Sequence, residues 1–323
     1  MAVVNLHRSQ DMFDPSVWYG YVESYSSSHI TIKSGPHSGT YYGNFSYDSY
    51  GNPYGVLTSY TQTSNGFTNY SVSGLSHDAA RVNSYLDRGD AIGLQSYVLS
   101  GNDQINGSSS SDGIQGWRGN DTLFGNGGND ILAGGQGNDY IDGGAGLDTS
   151  FYFSSRANYS VLKVGEAYKV SGAEGVDTLV NVERIRFADK SMALDVDGDA
   201  GDVYRLYKAA FNRAPDELGL GYWIAKLDNG ENLVNVAKGF TVSTEFKSTY
   251  GASLTDEFFL EKIYQNVLGR TYDEVGFNYW ITGLQSGSMT REWVLTGFSQ
   301  SNENKANVIG QISNGFEFID HLL

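Results

Sequence analysis

Apolar positions follow three patterns along the chain. Between residues 29 and 72 short alternating runs are separated by turn residues. Residues 29–34 alternate, 35–39 (Gly-Pro-His-Ser-Gly) turn, 40–47 follow, 48–55 hold a second turn cluster, and 56–63 and 67–72 flank Asn65-Gly66. Such spacing predicts antiparallel strands, either a sandwich or an early extension of the next segment. Between residues 99 and 148 one aliphatic side chain recurs every nine residues: Ile105, Ile114, Leu123, Leu132 and Ile141. From Val203 onward the apolar period is helical.

The middle pattern carries the chemistry. An aspartate stands two residues before each of those five aliphatics, and the series Asp103, Asp112, Asp121, Asp130, Asp139 continues to Asp148. Glycine precedes five of the six aspartates by two residues. Each unit reads as a glycine-rich turn of six residues, where positive φ is available, followed by a three-residue strand with one side chain facing inward. A unit this small cannot bury its own apolar face, so copies must stack as a solenoid. With two units per coil, Asp103, Asp121 and Asp139 line one edge and Asp112, Asp130 and Asp148 the other. Stacked carboxylates repel. A hard cation taking six to eight oxygens relieves that repulsion, which describes calcium.

This stretch resembles the RTX (repeats-in-toxin) β-roll of proteins exported by bacterial type I secretion. The resemblance implies that each Ca2+ lies between successive turns of one edge. One turn supplies its first and third carbonyls and its aspartate, the next its second and fourth carbonyls and its aspartate. The first implied ion takes Gly116, Arg118 and Asp121 with Gly135, Gly137 and Asp139. The second takes Gly125, Gly127 and Asp130 with Gly144, Gly146 and Asp148. The third takes Gly107, Ser109 and Asp112 with Asn126, Gly128 and Asp130. The fourth takes Val98, Ser100 and Asp103 with Trp117, Gly119 and Asp121. Two turns depart from the pattern. Residues 108–111 are all serine, and the first turn lacks its leading glycines.

The flanks are read in turn. Residues 78–90 predict one helix ending at Gly89. Residues 159–164, 167–171 and 177–187 predict further strands, the last resembling a segment that closes RTX rolls. Residues 195–202 place oxygens at alternate positions as an EF-hand loop does, but Ala200 and Leu206 stand where glycine and glutamate belong. A linker with Asp202 near a helix N-terminus is the expected reading. Beyond it lies a duplication with an offset of 57, in which Tyr207, Arg213, Asp216, Gly219, Tyr222 and Trp223 match Tyr264, Arg270, Asp273, Gly276, Tyr279 and Trp280. This resembles a helical domain of unknown function found downstream of RTX repeats and distantly similar to phycobilisome linker domains. The tail, residues 315–323, is similar to a type I secretion signal.

The expected architecture is multidomain β plus α. Residues 1–94 form a Tyr/Ser/Gly-rich antiparallel β region, 95–150 the parallel β-roll, 151–194 a β cap, and 195–323 a duplicated all-α domain.

Composition narrows the function. A net charge of −16 with 41 glycines and no basic patch argues against nucleic-acid binding. No cysteine is present, so calcium takes the place of disulfides as a staple. Residues 1–10 lack the apolar core of a cleavable signal peptide, and no run is long enough to insert in a membrane; the roll implies an extracellular or cell-surface location by type I secretion. The chain has no His-Glu-x-x-His, no Gly-x-Ser-x-Gly and no P-loop, and its histidines, at 7, 29, 37, 77 and 321, are scattered. Ser76, His77 and Asp78 are consecutive and cannot adopt a triad's geometry. The expectation is a non-catalytic protein that folds on calcium and self-associates into a surface layer, filament or matrix as a homo-oligomer or polymer. The alternatives are an adhesin binding cell-surface polysaccharide through the tyrosines at 41, 42, 47, 50, 54, 60 and 70, and an exported enzyme of an unrecognised kind.

Overall fold

The computed structural model describes residues 1–13, 20–251 and 254–320. The chain forms two compact units, Met1–Ala188 and Asp189–Leu323.

The first unit is built on the roll. Strands Gln104–Asn106, Thr122–Phe124 and Tyr140–Asp142 stack in parallel on one face, and Gly113–Gln115, Ile131–Ala133 and Thr149–Phe151 on the other. Each turn carries the chain across to the opposite face, so strands that pair lie two repeats apart. Ile105, Ile114, Leu123, Leu132 and Ile141 are fully buried between the faces, each contributing roughly 1.5–3 kcal/mol of burial.

The N-terminus begins this roll. Val3–Leu6 pairs in parallel with Gln104–Asn106, and the Met12 amide donates to the Gly113 carbonyl at 2.8 Å. Residues 3–12 thus make an opening coil that has neither glycines nor the aspartate period. The other edge of Val3–Leu6 pairs antiparallel with Phe67–Ser73. The sheet then continues through Pro53–Ser64, His37–Tyr47, His29–Ser34 and Tyr21–Tyr25. The N-terminal strands therefore extend the roll, and among the described residues they form no sandwich. At Asn65-Gly66 both residues have positive φ, as a two-residue hairpin turn requires. The preceding turn is also tighter than the sequence suggested: Gly35 at φ +56 lets Ser34 pair directly with His37.

The helix expected over 78–90 is present, and a second, Ala91–Val98, follows it. Ala79–Asp87 is capped by Asp78, whose carboxylate accepts from the Arg81 amide at 3.0 Å. Gly89, at φ +65, breaks the run, and Asp90 caps Ala91–Val98. Tyr41, Tyr60 and Tyr70 stack with ring centroids 4.5 and 5.7 Å apart. With Leu57, Val72 and Leu94 they line an apolar cavity of about 390 Å3. Tyr42, Tyr50 and Tyr54 are exposed.

Past the contiguous repeats, strands Ser160–Val164, Ala167–Gly172 and Gly175–Val180 form an antiparallel meander. Its last strand returns to pair in parallel with Tyr140–Asp142, and Arg184–Arg186 pairs with Thr149–Phe151. The single strand expected over 177–187 is split at Asn181, φ +50, where the chain crosses between faces.

In the second unit the described residues form eight helices, four in each half of the duplication: Asp199–Phe211, Glu217–Asp228, Leu233–Thr241 and Thr244–Tyr250, then Asp256–Leu268, Glu274–Ser286, Arg291–Ser299 and Asn302–Ile312. The repeated residues have structural work. Asp216 and Asp273 cap helices by accepting the Gly219 and Gly276 amides at 2.7 Å. A Cβ on either glycine would lie 2.5 Å from the hydroxyl of Tyr207 or Tyr264, which explains why tyrosine and glycine recur together. Arg213 holds Glu245 through two hydrogen bonds, and Arg270 holds Glu303 likewise. Asp216→Ala or Asp273→Ala is expected to cost about 1 kcal/mol, the usual value of such a cap. Urea unfolding of the full chain, followed by helical circular dichroism, measures it; no change in midpoint would remove the capping role.

The Asp195–Asp202 stretch is the helix entry. Asp202 pairs with Arg205, which is 1% exposed and also donates to the Val196 carbonyl at 2.6 Å. Asp195 accepts from the Ala200 amide at 3.1 Å. Strand Ser191–Ala193, placed by sequence in the β cap, pairs in this unit with Phe316–Phe318. Of the expected secretion signal, residues 321–323 lie outside the described residues. Among the described residues no helix is long and apolar enough to cross a membrane.

Candidate metal centre

The six repeat aspartates are between 0 and 4% exposed. They form two ladders. On one edge the amides of Asp103 and Asp121 donate to the Oδ1 atoms of Asp121 and Asp139, each at 2.8 Å. On the other, those of Asp112 and Asp130 donate to Asp130 and Asp148 at 2.7 and 2.8 Å. One carboxylate oxygen per turn is thereby used in holding the stack.

The second oxygen is the informative one. Oδ2 of Asp103, Asp121, Asp130, Asp139 and Asp148 is buried and accepts no hydrogen bond. Unpaired buried carboxylate oxygens are costly. They also point the same way: a Cβ placed on Gly116, Gly125 or Gly134, the first residue of each turn, would lie 2.1–2.5 Å from the Oδ2 of that turn's own aspartate. Glycine is needed there because the carboxylate occupies the space.

The turns approach closely along each edge. In the first donor set, Arg118 bridges to Gln136, and a Cβ on Gly137, at φ +140, would lie 1.7 Å from the Gly119 carbonyl oxygen. In the second, Gly127 bridges to Ala145, and Gly146 stands in the same relation to Gly128 at 1.8 Å. The aspartates stack as expected, but the carbonyls that face the gap between turns 116–121 and 134–139 are those of Trp117, Gly119, Gly134 and Gln136, while the Gly137 carbonyl faces the following turn, against Gly175. The third set differs. Asp112 Oδ2 accepts the Ser108 amide at 2.7 Å, and the Gly107 carbonyl accepts the Asn126 side-chain amide at 2.7 Å. The Asn126 carbonyl accepts the Ala145 amide at 2.9 Å, so protein donors occupy three of its oxygens. In the fourth set Asp103 keeps its unpaired oxygen, but Val98 is the last residue of helix Ala91–Val98, so a helix end replaces the glycine turn. Ser100 turns its hydroxyl back to the Tyr97 carbonyl at 3.0 Å.

Among the described residues no three carboxylate or imidazole groups converge. The implied donor set has two carboxylates per ion and takes its other oxygens from backbone carbonyls. Hard, oxygen-only donation of this kind suits calcium.

Several members of the ladders escaped the sequence reading. Asparagines before the aspartates form a parallel outer ladder: the Asn120 amide donates to Asn102 and the Asn138 amide to Asn120, each at 2.8 Å. The signal was the recurring Asn-Asp pair. Asp177 and Glu183 extend the two inner ladders by accepting the Asp139 and Asp148 amides at 3.0 and 2.9 Å.

Burial pushes the carboxyls of Asp121, Asp130 and Asp177 up to about 7, against the pull of the amide each accepts and with a push from neighbouring carboxylates. Burial likewise raises Asp139, Asp148 and Glu183. Without calcium, the folded roll therefore keeps protons that unfolded carboxyls near pH 4 have released. Its stability is expected to fall as pH rises from about 4 to about 7. Calcium takes the deprotonated form, so affinity runs the other way and binding releases protons. Thermal melts of the roll in chelator at about pH 5 and about pH 8 test this: the lower pH should melt later, and the reverse order would refute it.

The fold and these ladders define a parallel β-roll with calcium-type turns. Comparison with known proteins agrees. Residues 97–132 and 118–150 match the RTX calcium-binding nonapeptide repeat (4 copies), and residues 196–248 and 237–308 match a domain of unknown function, DUF4214. The chain thus carries RTX repeats, which bind Ca2+, and a duplicated DUF4214 domain. Among solved structures, the extracellular lipase LipA from Serratia marcescens is 26% identical over 29% of this chain and 17% of the lipase, with a TM-score of 0.27. The AlgE6R3 subunit of the Azotobacter vinelandii mannuronan C5-epimerase is 22% identical over 25% of this chain and 71% of that subunit, with a TM-score of 0.17. The chain therefore spans about a sixth of the lipase's length. No curated protein matches the chain.

Proposed function

We propose that this chain is a secreted, non-catalytic calcium-binding protein whose roll is completed by Ca2+ outside the cell and which then assembles as a structural component of the cell surface or matrix. The observation that carries the calcium part is the file of five buried, unpaired Oδ2 atoms, four of them, on Asp121, Asp130, Asp139 and Asp148, beside a glycine that leaves room. The best-supported ions are the first two donor sets, centred on Asp121 with Asp139 and on Asp130 with Asp148. The fourth set follows, and the third is the weakest because Ser108, Asn126 and Ala145 already satisfy three of its oxygens.

The assembly part rests on a sheet edge. Tyr21–Tyr25 is the terminal strand of the sheet, and Tyr21, Val22 and Tyr25 are 61, 55 and 66% exposed. Exposed apolar edge strands pair with other chains unless they are blunted. A net charge of −16 opposes that pairing until calcium neutralises part of it. The roll ends are a poorer surface, since Val3–Leu6 and the meander cover them. Light scattering and negative-stain microscopy of the full chain, with millimolar calcium and with chelator, test the reading. Calcium-dependent particles are expected; monomers throughout would refute assembly. A second reading, polysaccharide binding, draws on the exposed Tyr42, Tyr50 and Tyr54 and is tested by glycan pull-down. Asp78, a helix cap, and His77, packed 4.7 Å from the Tyr97 ring, have structural duties that leave no triad.

A further inference from the structure

We infer that the apolar cavity of the N-terminal region is a binding site for a small neutral molecule with a compact aromatic body and one hydrogen-bond donor. The site goes beyond the function proposed above and uses none of the stacked carboxylates.

The floor of the cavity is one face of the N-terminal sheet. Val4, Val72, Tyr60 and Tyr41 form one row of cross-strand neighbours. Leu6, Tyr70 and Gln62 form the next. Side chains two apart on a strand share a face, so Tyr60 lies beside Gln62 and Tyr70 beside Val72. The roof is the pair of helices. Val82 and Leu86 stand one turn apart on Ala79–Asp87, and Leu94 and Val98 on Ala91–Val98. Each pair lies on one stripe of its helix and lines the cavity.

Roof and floor do not close on each other. The second helix, Ala-Ile-Gly-Leu-Gln-Ser-Tyr-Val, is mostly apolar, yet none of its residues is buried. Leu86, Leu94, Val98 and the phenols of Tyr41, Tyr60 and Tyr70 are only half-buried, although all of them line the cavity. Protein interiors leave few voids larger than a water molecule. A space of about 390 Å3 is instead the size of a ligand pocket. A dry apolar cavity of roughly 150 Å3 takes a benzene ring, so this one has room for two fused rings.

The lining sets the chemistry of the occupant. Among the described lining residues there is no lysine, arginine or histidine, and the acidic residue is Asp11 alone. An anion would be desolvated there with no counter-charge, in a chain whose net charge is −16. The phenols are neutral as well: burial raises Tyr70 to about 12 and moves Tyr41 and Tyr60 in the same direction. Their rings, with centroids 4.5 and 5.7 Å apart, offer faces and edges to an aromatic guest. The polar contact is Gln95. Gln62 Oε1 already accepts the Tyr60 hydroxyl at 3.3 Å, whereas Gln95 Oε1 is buried and accepts nothing. A buried oxygen without a donor is costly, and an N–H or O–H on the guest removes that cost. Ser9 and Asp11 line the cavity and are exposed; they mark its entrance.

Isothermal titration calorimetry of the full chain in millimolar calcium tests the site with three probes. Indole carries the N–H, N-methylindole lacks it, and an indole carboxylate adds a charge. Indole should bind once per chain, N-methylindole about fivefold more weakly, the worth of one hydrogen bond, and the carboxylate should not saturate. Gln95→Leu should bring indole and N-methylindole to one affinity. Leu94→Trp, which fills the cavity, should abolish indole binding. The inference is overturned by no saturable indole binding to the wild type, by binding that Leu94→Trp leaves unchanged, or by a carboxylate that binds as tightly as indole. Should Leu94→Trp not fold by circular dichroism, a wild-type crystal soaked in indole decides. Density for the ring between Tyr60 and Leu94 is expected, and a cavity that holds only ordered water overturns the inference.

Discussion

Chelation is expected to unfold the roll while the helical unit stays folded. Five buried carboxylate oxygens have no protein donor, and removing an ion leaves each pair of turns with uncompensated charge in a dry setting, at a cost of several kcal/mol. Sites of extracellular modules bind at roughly 10⁻⁴–10⁻³ M. At tenfold excess over that constant each ion adds about 1.4 kcal/mol, so three ions supply about 4 kcal/mol, a large share of a domain's usual margin. The helical unit has its own core, including Val203, Leu206, Phe259 and Ile263, and among its described residues no carboxylate oxygen is buried and unpaired. Hydrogen exchange in millimolar calcium and in chelator separates the units. Protection of the amides at 105, 123 and 141 should collapse in chelator while that of the helices persists. Equal protection of the roll in both conditions would remove calcium from its folding.

Gly137→Ala is expected to be among the most damaging single methyls in the described residues, with Gly175→Ala beside it. The backbone at Gly137 is at φ +140, and the new carbon would sit 1.7 Å from the Gly119 carbonyl oxygen. Positive φ in this range is essentially glycine's alone and costs about 1–3 kcal/mol for other residues. The clash adds to that, because the atom it meets is backbone fixed by the ladder. A loss of at least about 3 kcal/mol of calcium-saturated stability follows. Gly101→Ala is the control. Its φ is ordinary, and the nearest atom to a Cβ is 3.9 Å away, so a change within about 0.5 kcal/mol is expected. Thermal melts in calcium compare them; similar midpoints would mean the turns are not as closely stacked as described.

What the sequence disclosed was whatever repeats by itself. The nine-residue period located the buried aliphatics and the two aspartate ladders, because one geometric rule is written six times. The duplicated Tyr, Arg, Asp and Gly likewise marked helix caps and a turn lock before their partners were known. Parts that meet only in space were hidden. Val3–Leu6 has no period of its own and becomes a roll strand through pairing with residues 104–106. Asp177 carries the repeat's letters but stands 38 residues on, where a search in fixed phase does not reach. Ser108 was legible as a missing glycine, but neither it nor Asn126 was legible as a hydrogen-bond donor to the third set's oxygens.

The opening coil has a consequence for the order in which the molecule is made. Val4 is synthesised about a hundred residues before its neighbour Ile105. Long-range closures of this kind are slow to form. Until they form, Val3–Leu6 has only its antiparallel partner Phe67–Ser73, and the N-terminal sheet has an unfinished border. If the roll waits for an ion, so does that border. Residues 3–6 are then among the last to be secured, and a divalent ion bound near Asp121 governs when a strand more than a hundred positions upstream gains its second neighbour.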